Sequence, residues 1–62
     1  MSKYRCYLLD KSGIFASKQI ESHDEEAAVA EAQALLAEND AAAGAELWIE
    51  AFLVRRLRKL DA

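Results

Sequence analysis

Residues 22–39, SHDEEAAVAEAQALLAEN, carry the clearest structural signal in the sequence. Ser22 is followed three residues later by Glu25. This spacing is typical of a capping box, in which the serine hydroxyl accepts from a first-turn amide and the glutamate reaches back. Three consecutive acids that begin at Asp24 place negative charge where the helix dipole favours it. The stretch therefore predicts a helix over about 23–39.

The predicted helix carries one apolar stripe. Its members recur at helical spacing and share one side: Ala28, Val29, Ala32, Leu35 and Leu36. Glu31 and Glu38 face away from the stripe. Asn39 follows, where a left-handed cap is expected to end the helix. Because an apolar stripe must be buried against another element, we expect it to lie on the segment that precedes the helix.

The segment before the helix alternates with the period of two that is typical of strands. In residues 3–9 one face carries Tyr4, Cys6 and Leu8. Residues 10–13 form a turn, because aspartate can bond its own following backbone and glycine tolerates positive φ. In residues 14–20 the alternation places three residues on one side: Ile14, Ala16 and Ile20. The segment is therefore predicted to be an antiparallel β-hairpin.

Residues 46–60 fit two interpretations. As a helix they would form a stripe of Ile49, Leu53, Leu57 and Leu60, and their composition slightly favours this. As strands, 47–49 and 53–57 would form a second hairpin, although no glycine, asparagine or proline marks a turn between them. The two interpretations lead to different orders of elements, ββαα and ββαββ.

Short packing and turn motifs along the chain point to a relationship with other proteins. The first hairpin contributes Tyr4, Tyr7, Leu8, Asp10, Gly13 and Ile14. The rest of the chain contributes Ala27 and Ala28 after the acidic helix start, Leu35, Glu46-Leu47-Trp48 and Leu53-Val54-Arg55. Together these motifs, from Tyr4 to about Leu57, resemble a group of short uncharacterised bacterial proteins.

The resemblance bears on the fold and not on activity. In that group a polar turn containing glycine usually follows the tryptophan, which implies a terminal β-hairpin. This chain has Ile-Glu-Ala-Phe at residues 49–52 instead. We therefore predict a small two-layer α+β domain over residues 1–62 with the order ββαββ. The alternative is ββαα with a C-terminal helix.

The size and composition of the chain limit its sources of stability. Sixty-two residues form one domain, and a chain of this length buries only about 60% of the surface that its unfolded form exposes. Cys6 is the only cysteine and His23 the only histidine, so neither an internal disulfide nor a structural zinc site is available. Small domains usually compensate with a disulfide, a metal or a partner, which leaves self-association.

Charges are segregated along the chain, which has a net charge of −3. Residues 1–22 carry four bases and two acids, residues 23–50 carry eight acids and no Lys or Arg, and residues 51–62 carry four bases and one acid. We expect these charges to neutralise one another within the fold or across a dimer. The alternative is a basic face offered to a polyanion.

Nothing in the sequence predicts export or membrane insertion. The first residues lead into strand-like sequence without a signal-peptide pattern. No apolar stretch approaches the roughly 20 residues that a membrane-spanning helix requires. We expect a soluble cytoplasmic protein.

The sequence contains no recognisable constellation for catalysis, metal binding or cofactor binding. His23 is predicted to be a solvated residue at the first helical position, since catalysis would need a second reactive group beside it. Cys6 lies mid-strand and is predicted to be buried filler, because the adjacent Arg5 points to the opposite face and cannot activate the thiol. We therefore predict a non-enzymatic protein with no cofactor and no metal.

Two groups of residues are candidates for interaction. Trp48 and Phe52 are aromatic anchors for a core or an interface, and we expect at least one aromatic side chain to be only partly buried in the monomer. A basic cluster comprises Arg55, Arg56, Arg58 and Lys59. We predict a protein-interaction module that forms a homodimer and docks a protein partner through these residues.

The alternative function is weak nucleic-acid binding by the basic cluster. Tyr7 and Phe15 on the sheet would then supply a stacking platform for bases. The acidic helix and the pI of about 5.0 argue against a polyanion partner. Nucleic acid is therefore the less favoured partner.

Overall fold

Four strands and one helix make up residues 2–59, the part of the chain that a computed structural model describes. Their order is β-β-α-β-β, so the predicted ββαββ arrangement is confirmed and the alternative with a C-terminal helix is wrong. The elements are β1 (Ser2–Asp10), β2 (Gly13–Ser22), α1 (Glu25–Glu38), β3 (Gly44–Ile49) and β4 (Phe52–Arg58).

The strands form one antiparallel sheet in the order β2-β1-β3-β4. Each hairpin pairs its own two strands, and β1 pairs with β3 to join the hairpins along the middle of the sheet. β2 and β4 are therefore the edge strands. The helix connects the two hairpins and packs over all four strands.

The core lies between the helix and one face of the sheet. From the helix it contains Ala28, Val29, Ala32 and Leu36, with Leu35 partly buried against them. From the strands it contains Tyr4, Cys6, Leu8, Ile20, Ala45, Leu47 and Leu57. The apolar stripe of the helix and the apolar face of β1 are thus confirmed. Small alanines at the contact let the helix approach the sheet closely.

The start of the helix differs from the prediction, because the capping box is wrong. Ser22 remains the last residue of β2, where the ladder with β1 holds it in the sheet. Asp24 is the N-cap instead, and its carboxylate accepts from the backbone N–H of Ala27 at 2.7 Å. The helix therefore begins at Glu25, and His23 lies before the cap rather than at the first helical position.

The left-handed cap predicted at Asn39 is also wrong. Asn39 has an extended backbone with φ −105° and ψ 104°. Its side-chain amide donates to the Leu35 carbonyl at 2.8 Å, and its backbone N–H donates to the Leu36 carbonyl at 3.4 Å. These bonds satisfy two carbonyls of the last helical turn, those of Leu35 and Leu36, without a left-handed residue. The Lys59 ammonium donates to the Asn39 carbonyl and places a cation where the helix dipole favours it.

The turn of the first hairpin forms as predicted. The Asp10 carboxylate accepts from the backbone N–H of Ser12 at 2.7 Å. Gly13 has a φ of 121°, a value that residues with side chains rarely adopt. The two signals in the sequence, aspartate and glycine, therefore act as expected.

A β-bulge in β2 moves one residue to the other face of the sheet. Leu8 pairs with Ala16. Leu9 pairs with Ile14, which leaves Phe15 without a partner in β1. Because directly opposed residues share a face, Ile14 lies on the face of Leu9 and not on the face of Ala16. The prediction that Ile14 shares a side with Ala16 is therefore wrong.

The second hairpin closes through a two-residue turn that no glycine marks. Ile49 pairs with Phe52, and Glu50 and Ala51 lie between them. Glu50 adopts a φ of 53°, in the left-handed region that is uncommon for a residue with a side chain. The turn conformation is thus present although its usual residue is missing. Leu60, from the alternative helical stripe, lies outside the described residues.

A second bulge lies in β4. Leu47 pairs with Arg55, whereas Trp48 pairs with Leu53. Val54 has no partner in β3 and packs, partly buried, against the core. The bulge lets Arg55 share the face of the buried Leu47 while Leu53 shares the face of Trp48.

Candidate interaction surface

The helix covers one face of the sheet and leaves the other without a covering element in residues 2–59. The strand pairings assign the following residues to this uncovered face, which we name the open face: Lys3, Arg5, Tyr7, Leu9, Ile14, Ser17, Gln19, Glu21, Gly44, Glu46, Trp48, Leu53, Arg56 and Arg58. Two of its aliphatic side chains are well exposed, Ile14 at 57% and Leu53 at 41%. The open face therefore presents apolar surface to the solvent.

Aromatic rings occupy the centre of the open face. Tyr7 lies on β1 and Trp48 on β3, the two central strands, and both are partly buried. The two residues are diagonal neighbours, because Tyr7 is directly opposite Glu46. A shallow depression of about 440 Å³ beside them is lined by Tyr7, Ile14, Glu46, Trp48, Glu50 and Ala51. Aromatic and aliphatic side chains with few polar groups are typical of the central part of a protein interface.

One carboxylate stands in this apolar centre, and the chain itself supplies its partners. The Trp48 ring N–H donates to Glu46 Oε1 at 3.1 Å. Arg56 Nε lies 3.4 Å from Glu46 Oε2. The Glu46 side chain is only 17% exposed. One carboxylate oxygen therefore accepts a hydrogen bond and the other forms an ion pair, and the hydrogen bond from the ring fixes the orientation of Trp48 on the face.

The two predicted aromatic anchors lie on different faces. Trp48 is on the open face and is partly buried, as expected for an anchor. Phe52 pairs with Ile49 at the tip of the second hairpin, on the side of the helix, and is 70% exposed. The structure does not bring the two rings together on one surface. Only Trp48 belongs to the open face.

The predicted basic cluster is also divided. Arg56 and Arg58 lie on the open face. Arg55 lies on the other face, at the exposed edge of the sheet. The ammonium of Lys59 binds a carbonyl at the end of the helix. Bases that are consecutive in the sequence therefore do not form a single basic surface, because neighbouring residues in a strand point to opposite faces.

The sequence-based candidates for interaction missed three apolar residues of the open face: Leu9, Ile14 and Leu53. The two bulges, at Phe15 and Val54, bring Ile14 and Leu53 to this face. No residue type in the sequence marks a bulge at either place. Alternation in β1 was the available signal, since it places Leu9 opposite the buried face of that strand.

The two residues weighed for chemistry are not part of the open face. Cys6 is fully buried, and burial raises the pKa of its thiol above the ordinary value. The thiol therefore stays protonated and unreactive near neutral pH, and the predicted burial is confirmed. His23 is exposed, as predicted, between β2 and the helix.

Another depression lies at the loop end of the molecule, away from the centre of the open face. It measures about 760 Å³ and is lined by Asp10, Lys11, Ser12, residues 40–43, Arg58 and Lys59. Asp10 and Lys59 each serve the local structure, in the turn and at the helix end. Within residues 2–59, no three or more His, Cys, Asp or Glu side chains are grouped to hold a metal ion.

The fold and the open face define a two-layer domain with one covered and one uncovered sheet face. In comparisons with known proteins, no protein-family model, no curated protein and no solved structure matches the chain. The resemblance to the short bacterial proteins stays a prediction. Among residues 2–59, no helix has the length and apolar character needed to cross a membrane.

Proposed function

We propose that the protein is a small non-enzymatic interaction module that self-associates and docks protein through its open face. The observation that carries this proposal is the uncovered face itself, with Tyr7 and Trp48 at its centre and the exposed side chains of Ile14 and Leu53 on its edge strands. Exposed apolar side chains on a sheet face that no other element covers are typical of interaction sites. We place the module in the cytoplasm, where a reducing environment suits a chain whose one thiol, Cys6, is free.

The modest core of the monomer supports the need for a partner. Among residues 2–59, Leu47 is the one large aliphatic side chain that is fully buried, and many core positions are alanines. Burial of apolar surface contributes about 25 cal/mol per Å², so a core rich in alanine contributes little. Covering the open face would bury the larger side chains of Trp48 and Leu53. Association would therefore supply stability that the monomer lacks.

The test is the mass of the protein in solution, measured by size-exclusion chromatography with light scattering between about 1 and 100 µM. We expect twice the 6.9 kDa mass of the chain at the upper end of this range. Trp48→Thr removes the central ring and keeps a residue that favours strands. Phe52→Thr is the matched control, because it removes an exposed ring of the same hairpin that lies off the open face.

The two variants are expected to differ strongly. A central aromatic anchor contributes about 2 kcal/mol or more to binding, and a symmetric dimer loses this twice. Trp48→Thr should therefore weaken dimerisation by roughly a thousandfold, whereas Phe52→Thr should leave it nearly unchanged. Wild-type protein that remains monomeric over the whole range would contradict self-association. Equal effects of the two variants would exclude the open face.

Single-stranded nucleic acid is a second candidate partner for the open face. Arg5, Arg56 and Arg58 share this face with the two rings of Tyr7 and Trp48. Aromatic rings beside cations are the combination that stacks and holds single strands. Filter binding at low salt with oligo(dT) and oligo(U) tests this candidate. Retention that Trp48→Thr abolishes would favour it, and the absence of retention would dismiss it.

A further inference from the structure

The open face has the dimensions of a small dimer interface. The Cα atoms extend over 32 × 22 × 14 Å, and the shortest axis is the thickness of a helix packed on a sheet. A face of 32 by 22 Å covers at most roughly 700 Å², so two opposed faces bury up to about 1,400 Å², within the range of stable protein interfaces. This upper bound lies within the range of stable interfaces, so the open face is wide enough to admit a second copy of the chain.

The two edge strands are poorly suited to the same task. β2 carries the bulge at Phe15, and Lys18 pairs with the buried Cys6, which places this lysine on the helix side of the sheet. β4 carries the bulge at Val54, with Arg55 on the helix side. Bulges and charged residues on the inner face of an edge strand oppose strand addition from another molecule. Association through an edge is therefore disfavoured at both ends of the sheet.

The carboxylate of Glu46, at the centre of the open face, can be covered at little cost. Burying a carboxylate is strongly unfavourable when its oxygens lose their hydrogen bonds to water. Glu46 already accepts from the Trp48 ring and contacts Arg56, and its side chain is largely buried in the single chain. A second copy therefore does not need to supply a counter-charge for Glu46.

We propose that two copies pack open face on open face about a two-fold axis, so that the central strands β1 and β3 of each meet across the interface. The result is a four-layer arrangement of helix, sheet, sheet and helix, with the two sheets about 10 Å apart. Trp48 and Tyr7 of both copies lie at the centre of this interface, beside Arg5, which is directly opposite Trp48 on β1. This inference rests on the proposed function and specifies both the partner and the surface that it covers.

Intermolecular paramagnetic broadening tests the arrangement. A nitroxide label is placed at Ser17→Cys, on the open face directly opposite Tyr7, and in a second sample at Ala30→Cys, on the exposed side of the helix. Cys6 is fully buried and does not compete for the label in the folded protein. Each nitroxide-labelled protein, which has no ¹⁵N enrichment, is mixed with ¹⁵N-enriched wild-type protein that carries no nitroxide. In the wild-type protein the ring N–H of Trp48 is a single reporter, because the chain has one tryptophan.

The label on Ser17→Cys is expected to broaden the Trp48 ring N–H of the other copy, and the label on Ala30→Cys is expected to leave it sharp. A dimeric mass with no broadening from Ser17→Cys, or with broadening only along an edge strand, would overturn the face-to-face arrangement while leaving self-association intact. A monomeric mass at every concentration would instead refute the proposed self-association. If the wild-type protein forms no dimer but retains oligo(dT), and Trp48→Thr abolishes that retention, the open face binds nucleic acid and the inference is overturned. Amide spectra of both variants that match the wild type establish that they fold.

Discussion

Two leucines of the second hairpin, one on each face, provide a test of how the fold is stabilised. Leu47 lies beneath the helix and has no exposed surface, whereas Leu53 lies on the open face and is 41% exposed. The same substitution, Leu→Ala, can be made at both positions. Because the chemical change is identical, a difference in the free energy of unfolding reports only the surroundings of the two side chains.

The magnitude follows from the burial of each side chain. Removing a fully buried leucine costs about 3 kcal/mol, which lowers the folding equilibrium constant by roughly 150-fold. The free energy of unfolding of a domain of this size is only about 3–5 kcal/mol, so the Leu47→Ala variant retains about 0–2 kcal/mol. Leu53→Ala loses contacts on one side only, and we expect a cost of about 1 kcal/mol or less in the monomer.

Urea unfolding followed by far-ultraviolet circular dichroism measures the difference. The samples are kept at a concentration where light scattering gives the monomer mass, so that association does not contribute. With a slope of about 1 kcal/mol per molar urea, Leu47→Ala should lower the midpoint by about 3 M and Leu53→Ala by about 1 M or less. Equal losses at the two positions would refute the placement of the helix over the face of Leu47.

Three further substitutions test local features of the chain. Glu50→Gly should raise the free energy of unfolding by about 0.5–1 kcal/mol, because glycine adopts the positive φ of this turn without strain, and an unchanged or lower melting temperature would count against that turn. Gly44→Ala should lower the free energy of unfolding by about 1–3 kcal/mol, because the added Cβ would stand 2.9 Å from the Leu57 carbonyl oxygen. Thermal unfolding that matches wild type would show that the strands separate easily. Asp24→Ala should lower the free energy of unfolding, measured in urea, by about 1 kcal/mol, because Asp24 is the N-cap, and Glu25→Ala should lower it by less. A larger loss for Glu25→Ala would favour the capping box instead.

The sequence predicts those parts of the fold that depend on local patterns. Alternation in β1 identifies its buried face, and the spacing of the helix stripe identifies the residues that cover it. Asp10 and Gly13 mark the first turn through their own conformational preferences. These features follow from the chemistry of neighbouring residues, so no knowledge of the tertiary structure is needed to find them.

The remaining features depend on contacts between distant segments. Pairing with β1 keeps Ser22 in the sheet and moves the helix cap to a later residue. The second turn is closed by Glu50, a residue type that rarely adopts its conformation, so its position follows from strand pairing and not from propensity. The bulges at Phe15 and Val54 leave no mark in the sequence, yet they bring Ile14 and Leu53 to the open face. The candidate surface was therefore only partly predictable, through Trp48.

Fluorescence of the single tryptophan is the most direct test that the open face is the surface on which this protein associates. Trp48 lies at the centre of that face and is the only tryptophan in the chain, so its emission reports one position. We predict that dilution shifts its emission to longer wavelength over the same concentration range in which the mass falls to that of one chain. Emission that stays constant while the mass halves would show that association uses another surface and would contradict the account.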